Sequence, residues 1–187
     1  MTKARDLANG GFGLVLVKPS SVVNGTDNGK GTVSFSAASS VSLNGVFSST
    51  YDKYLFQYSF APSGAINVLF RFRVAGSDNS TSNYYYGGMS SGWSAGATTY
   101  YNSGSGQTSW LMMPTAGGAE NNGSFIVNDP FSSTKKSHVF GNWTRANNAD
   151  TALTGLVFDA TTSFDAFSFI TSSGTITGTV SVYGYNK

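Results

Sequence analysis

Residues 51–74 read Tyr51-Asp52-Lys53-Tyr54-Leu55-Phe56-Gln57-Tyr58-Ser59-Phe60-Ala61-Pro62-Ser63-Gly64-Ala65-Ile66-Asn67-Val68-Leu69-Phe70-Arg71-Phe72-Arg73-Val74, and they decide the fold class. Tyr54, Phe56, Tyr58 and Phe60 fall on one parity, and Lys53, Leu55, Gln57 and Ser59 on the other. Ile66, Val68, Phe70 and Phe72 then alternate with Asn67, Leu69, Arg71 and Arg73. Successive side chains of a strand point to opposite faces, so a period of two builds two strands with one aromatic face each. On a helix the same rings would spread around the whole circumference and leave no polar face. The connection Ala61-Pro62-Ser63-Gly64 has turn composition and is far shorter than a parallel crossover needs. This predicts an antiparallel hairpin of residues 51–60 and 65–74, with Phe56, Tyr58, Ile66, Val68 and Phe70 toward the core.

The same period extends along the chain. Further strands are expected over 32–36, 41–47, 82–88, 107–113, 123–128, 137–143, 153–159, 164–170 and 175–184, separated by clusters of Gly, Ser, Asn and Thr. In the last of these, Ile176, Gly178, Val180 and Val182 face one way and Thr175, Thr177, Thr179, Ser181 and Tyr183 the other. No long stretch combines a helical period with good helix formers. Many short strands without helices specify an all-β fold, a sandwich or a barrel.

Residues 1–30 differ from the rest. Gly10, Gly11 and Gly13 separate Leu7 from the apolar run Leu14-Val15-Leu16-Val17, which reads as a strand or as an anchor laid against another subunit. Pro19 and the loop 24–31 close it. Residues 1–30 are therefore expected to form an extended docking arm, with Leu7, Leu14, Val15, Leu16 and Val17 as partner contacts, ahead of a β-domain over 31–187. Residues 1–8 carry charge but no apolar run, so no secretory signal is read there.

Composition narrows the chemistry. Eleven basic residues against nine acidic leave the 187-residue chain at +2, too weak and too scattered to cover a run of phosphates, so no nucleic-acid partner is expected. No apolar run approaches the about 18 residues of a membrane helix. There is no cysteine and one histidine, His138, which reads as a surface or partly packed strand residue. No Gly-x-Ser-x-Gly elbow is present. Asp159 and Asp165 could formally serve as a carboxylate pair, but read more simply as loop and strand-end residues. The oxygens of Asp78 to Asn83 read as a polar loop rather than a calcium site. Neither a cofactor, a metal site nor an enzymatic activity is expected.

Tyr84, Tyr85, Tyr86, Trp93, Tyr100, Tyr101 and Trp110 sit in or beside polar segments. Flat rings beside Asn and Ser suit glycan contact or a subunit interface. The plainer alternative divides them between the core and a sister subunit. With charged residues at only 11%, many exposed rings would leave a monomer with large apolar patches, which favours self-association.

Phe47-Ser48-Ser49-Thr50-Tyr51-Asp52-Lys53-Tyr54, followed by an alternating strand and the turn at 61–64, resembles a module of bacteriophage virion proteins such as tail fibres and head fibres. The ending Ser173-Gly174-Thr175-Ile176-Thr177-Gly178-Thr179-Val180-Ser181-Val182-Tyr183-Gly184-Tyr185 is similar to the closing strand of that module, with its Gly-Thr-x-x-x-Tyr-Gly pattern. The opening Lys3 to Ala8 is also similar to the starts of small phage structural proteins. The resemblance implies an antiparallel, jelly-roll-like β-sandwich, commonly a homotrimer, made in the host cytoplasm and placed on the virion surface. It carries over no catalytic residue. The chain lacks the long shaft of a complete fibre, so a capsid decoration protein, a short head fibre or an adaptor between virion parts are the kinds it fits. Capsid or tail subunits are the implied partners, with a host surface glycan as a further contact. A carbohydrate-binding module is the alternative reading.

Overall fold

The alternation becomes sixteen strands in a computed structural model that describes residues 13–92, 99–114, 120–146 and 150–186. In chain order they are β1 (Leu14–Leu16), β2 (Ser21–Val23), β3 (Thr26–Asp27), β4 (Thr32–Ala38), β5 (Ser40–Asn44), β6 (Lys53–Pro62), β7 (Asn67–Val74) and β8 (Ser77–Asp78). The second half contributes β9 (Tyr84–Gly92), β10 (Thr99–Gln107), β11 (Trp110–Pro114), β12 (Asn121–Asn128), β13 (Ser137–Arg145), β14 (Asp150–Phe158), β15 (Ala166–Thr171) and β16 (Ile176–Tyr185). Two antiparallel sheets face each other as a β-sandwich of jelly-roll type. The larger, ten-stranded, runs β10-β9-β14-β13-β12-β6-β16-β4-β3, with β1 also on β16. The smaller, six-stranded, runs β11-β7-β15-β5-β2, with β8 on β7. No helix occurs among the described residues.

The expected hairpin is overturned, although its facing is right. Phe56, Tyr58, Ile66, Val68 and Phe70 are all buried. Yet β6 lies between β12 and β16 in the large sheet, and β7 between β11 and β15 in the small one. The chain between them crosses from one layer to the other instead of folding back within a layer. Ser63 pins that crossing: its N–H donates to the Thr175 carbonyl at 2.8 Å and its Oγ accepts the Thr175 N–H at 2.9 Å. The true two-residue hairpin joins β7 to β8, where Ala75 and Gly76 both take positive φ, as a type I′ turn requires.

Rings fill the gap between the sheets. Phe56 and Phe125, paired across β6 and β12, stack with centroids 4.4 Å apart. Phe70 reaches both edge-on from the other sheet, at 6.2 and 5.7 Å, and lies parallel to Phe167 at 5.6 Å. Trp110 closes the group, 5.9 Å from Phe70 and 5.4 Å from Phe125. Edge-to-face and offset geometries of this kind add to the area that the rings bury.

The expected arm is sheet for the part that is described. β1 pairs with β16, Leu14 opposite Tyr185 and Leu16 opposite Tyr183, and the Val17 N–H donates to the Val182 carbonyl at 2.8 Å. The reason lies in strand length: β4 covers residues 176–181 of β16, leaving the rest of that edge for β1. β2 and β3 add to β5 and β4, so residues 14–27 extend the sandwich and position 30 is no boundary. Leu7 lies outside the described residues.

The two stretches that carry the phage resemblance pack on each other. The Tyr54 hydroxyl accepts the Ser48 N–H at 2.8 Å and donates to the Ser48 carbonyl at 3.1 Å, with the Phe47 ring edge-on to it at 4.9 Å. Gly184 lies opposite Tyr54 on the neighbouring strand, and a Cβ there would run into the Tyr51 ring. A Cβ on Gly178 would run into the β6 backbone at Ser59.

Phe70→Ala should destabilise the fold by about 3–5 kcal/mol, read by chemical denaturation. A cost below about 1 kcal/mol would contradict its central place in the ring layer. Burial pushes the Tyr58 and Tyr84 phenols well above their ordinary value of 10.0. The unfolded chain releases those protons above about pH 10 while the folded one keeps them, so stability is full below that pH and declines above it. Alkaline denaturation midpoints measured with Tyr58→Phe should show a shallower decline.

Candidate functional site

The ring layer fixes one parity of the central large-sheet strands inward, and the other parity forms an outer face whose rows follow from register. Tyr85 of β9 stands opposite Val157, which stands opposite His138, which stands opposite Asn128. Two residues further, Gly87 faces Gly155, Gly155 faces Phe140, and Phe140 leads through Ile126 to Leu55. The next row runs Met89, Leu153, Asn142, Ser124, Gln57 and Ser181.

At the β9–β14–β13 end this face is apolar and hollow. Phe140 is 61% exposed, Met89 51%, Leu153 50% and Tyr85 40%. The paired glycines Gly87 and Gly155 remove side chains between them, leaving an open trough of about 680 Å³ whose lining includes Tyr85, His138, Phe140 and Val157. Packing does not demand these glycines. A Cβ on Gly155 would meet only the Val139 carbonyl, at 3.4 Å, and one on Gly87 only the Asn102 carbonyl, at 3.9 Å. Gly141 on the adjacent strand is different, because a Cβ there would strike Phe125. Glycine inside a strand costs about 0.5–1 kcal/mol relative to alanine, so two that the core does not require point to the surface they shape.

Toward β16 the same face turns polar. Gln57, Ser59, Asn122, Ser124, Asn142, Thr144, Thr179 and Ser181 surround a second open depression of about 490 Å³. The Ser124 hydroxyl donates to Asn142 Oδ1 at 3.0 Å, and Asn142 is exposed. Glu120 lies at the margin, its Oε1 accepting from Ser59 at 3.3 Å and Asn122 at 3.4 Å.

Of the aromatic residues marked in the sequence whose side chains are described, only Tyr85 reaches this surface as an exposed ring. Tyr84 is buried: its hydroxyl accepts the Phe72 N–H at 3.0 Å and donates to the Asn79 carbonyl at 2.9 Å. Trp110 belongs to the ring layer, so burial removes both from ligand or subunit contact. Tyr86 is half-buried and lies over Gly104, where a Cβ would strike its ring. The backbones of Tyr100 and Tyr101 pair with Ser90 and Met89; their side chains, and Trp93 entirely, lie outside the described residues. Leu14 and Val15 are exposed on β1, whereas Leu16 and Val17 are half-buried.

The residues weighed for other chemistry are engaged elsewhere. Asp159 pairs with Lys136, and Asp165 Oδ2 accepts the Ala75 N–H at 3.1 Å. Asp78 Oδ1 receives Arg73 at 2.5 Å and the Ser168 hydroxyl at 2.7 Å, while Asn79 Oδ1 receives the Thr81 hydroxyl at 2.6 Å. Among the described residues no group of three or more His, Asp or Glu has the placement of a metal site.

No protein-family model and no curated protein matches the chain. Among solved structures it is similar to a carbohydrate-binding module of a Cellvibrio mixtus lichenase in complex with cellotriose, with 13% identity, coverage of 94% of this chain and 97% of that one, and a TM-score of 0.31. It is also similar to an Aplysia kurodai alginate lyase, with 10% identity, coverage of 91% and 82%, and a TM-score of 0.34. A third is the SPRY domain of human HERC1, with 9% identity, coverage of 92% and 98%, and a TM-score of 0.27. Likenesses at this level carry no argument about function.

If Gly155 serves the surface and not the core, Gly155→Val should fold with unchanged or slightly higher stability, within about 1 kcal/mol, because a β-branched residue suits a strand. A large loss of melting temperature would instead make Gly155 a packing residue.

Proposed function

We propose that this chain is a non-enzymatic bacteriophage virion surface subunit, of the capsid decoration, head-fibre or short tail-fibre kind, which self-associates as a trimer through the outer-face trough. The observation that carries the association is the in-register group Tyr85, Met89, Phe140 and Leu153 around a glycine floor. Large apolar side chains gathered in one exposed patch mark an interaction surface rather than ordinary scatter. The virion assignment is supported by the sequence resemblance over residues 47–54 and 173–185. Leu14 and Val15, exposed on β1, offer a separate contact for a neighbouring capsid or tail subunit.

Light scattering of the purified protein at micromolar concentration should give the mass of three subunits, and Phe140→Ser with Leu153→Ser should give the mass of one. A wild-type mass of one subunit would overturn the trimer. Antibody labelling of intact phage particles tests the location, and labelling confined to the lysate would overturn it.

A further inference from the structure

From the polar half of the outer face we infer a binding site for a neutral glycan, running across β16, β6, β12 and β13. It is independent of the virion reading, because its central residues lie outside the apolar trough.

The chemistry of the lining selects the ligand. The exposed side chains around the depression are amides and hydroxyls, with the largely buried rings of Tyr58 and Trp143 also lining it. An anionic polymer needs lysine or arginine, and none lines the site. A lipid or an amphipathic helix needs an apolar floor, whereas Ser124, Gln57 and Ser181 lie in one row here. An extended peptide adds to a sheet edge through its backbone, and this is a sheet face. Sugars instead present hydroxyls that both donate and accept, with apolar C–H faces between them. Amides answer the first feature with both kinds of group. Gln57 is exposed, standing between Ser124 and Ser181 in the row. The Asn142 amide nitrogen is oriented by Ser124 through its Oδ1.

The second feature is answered one row away. Ile126 and Leu55 face one another across β12 and β6, directly beside Ser124 and Gln57. A sugar lying along the polar row would rest its C–H face on that apolar row, the pairing that makes rings and hydroxyls effective together. Four strands about 4.8 Å apart give a strip about 14 Å across, enough for a short oligosaccharide.

The test is an array of immobilised neutral and acidic glycans, probed with the full-length protein and with Gln57→Ala/Asn142→Ala. Binding to at least one neutral glycan is expected, persisting at about 0.5 M salt because no ion pair contributes. Loss of two neutral hydrogen bonds should weaken it about tenfold in the double variant. Gly155→Val, which fills only the trough, should bind as wild type. Absence of any neutral-glycan binding, binding to acidic glycans alone, or unchanged binding by the double variant would each overturn the assignment. Light scattering separates the two readings: the double variant should keep the wild-type mass, and Phe140→Ser with Leu153→Ser should lose it.

Discussion

The sandwich rests on the contact of Phe70 with rings from both layers. Phe56 and Phe125 meet it across the gap, Phe167 and Phe72 lie beside it in its own sheet, and Trp110 fills the remaining side. A core made of rings is directional in a way that an aliphatic core is not, because each ring accepts neighbours at its edge or offset from its face. Shifting β7 by one residue would replace Phe70 with Arg71 or Leu69 in that group. Register in the small sheet is thereby tied to register in the large one.

With the inner parity so constrained, the outer parity is left to other uses. Charge is used sparingly and at the margins. Arg145 and Asp150 form a two-pronged pair, at 3.0 and 2.7 Å, where β13 meets β14 at one end of the sheet. Arg73 lies over the small sheet, bonded to Asp78, Ser42 and Ser168. Apart from His138 and Lys53 in one outer row, the broad face between is left to glycine, apolar side chains, amides and hydroxyls. Its apolar and polar halves meet at β13, where Phe140 and Asn142 stand two residues apart on the same side.

Much of the fold was legible in the sequence because strand alternation is a local signal. The inward sets of β6, β7 and β16 all follow from parity. What parity cannot tell is whether two adjacent strands lie side by side or face each other across a core, since both arrangements bury the same residues. That is why β6 and β7 read as a hairpin. The apolar trough was legible only in part. Phe140 sits on the otherwise polar parity of β13, which marks a ring facing outward, whereas Leu153 shares its parity with Thr151, Gly155 and Val157 and carries no such mark. The paired Gly87 and Gly155 needed the β9–β14 register, which is set by residues far apart in sequence. Tyr84 and Trp110 misled for the converse reason, their polar neighbours concealing that both point inward.

The position of β16 has a kinetic consequence. Among the described strands it is the only hydrogen-bonded link between β6 and the strands β1, β4 and β3, and it is the last of them in chain order. During synthesis, β4 and β6 emerge early and wait, each with an open edge, for the strand that will sit between them. The sheet is therefore completed only after residues 176–185 have left the ribosome. Nucleation depends on contacts between distant parts of the chain, the condition under which all-β domains fold slowly. Until then the sheet keeps open edges beside uncovered aromatic faces, the features that make incompletely folded β-proteins prone to associate.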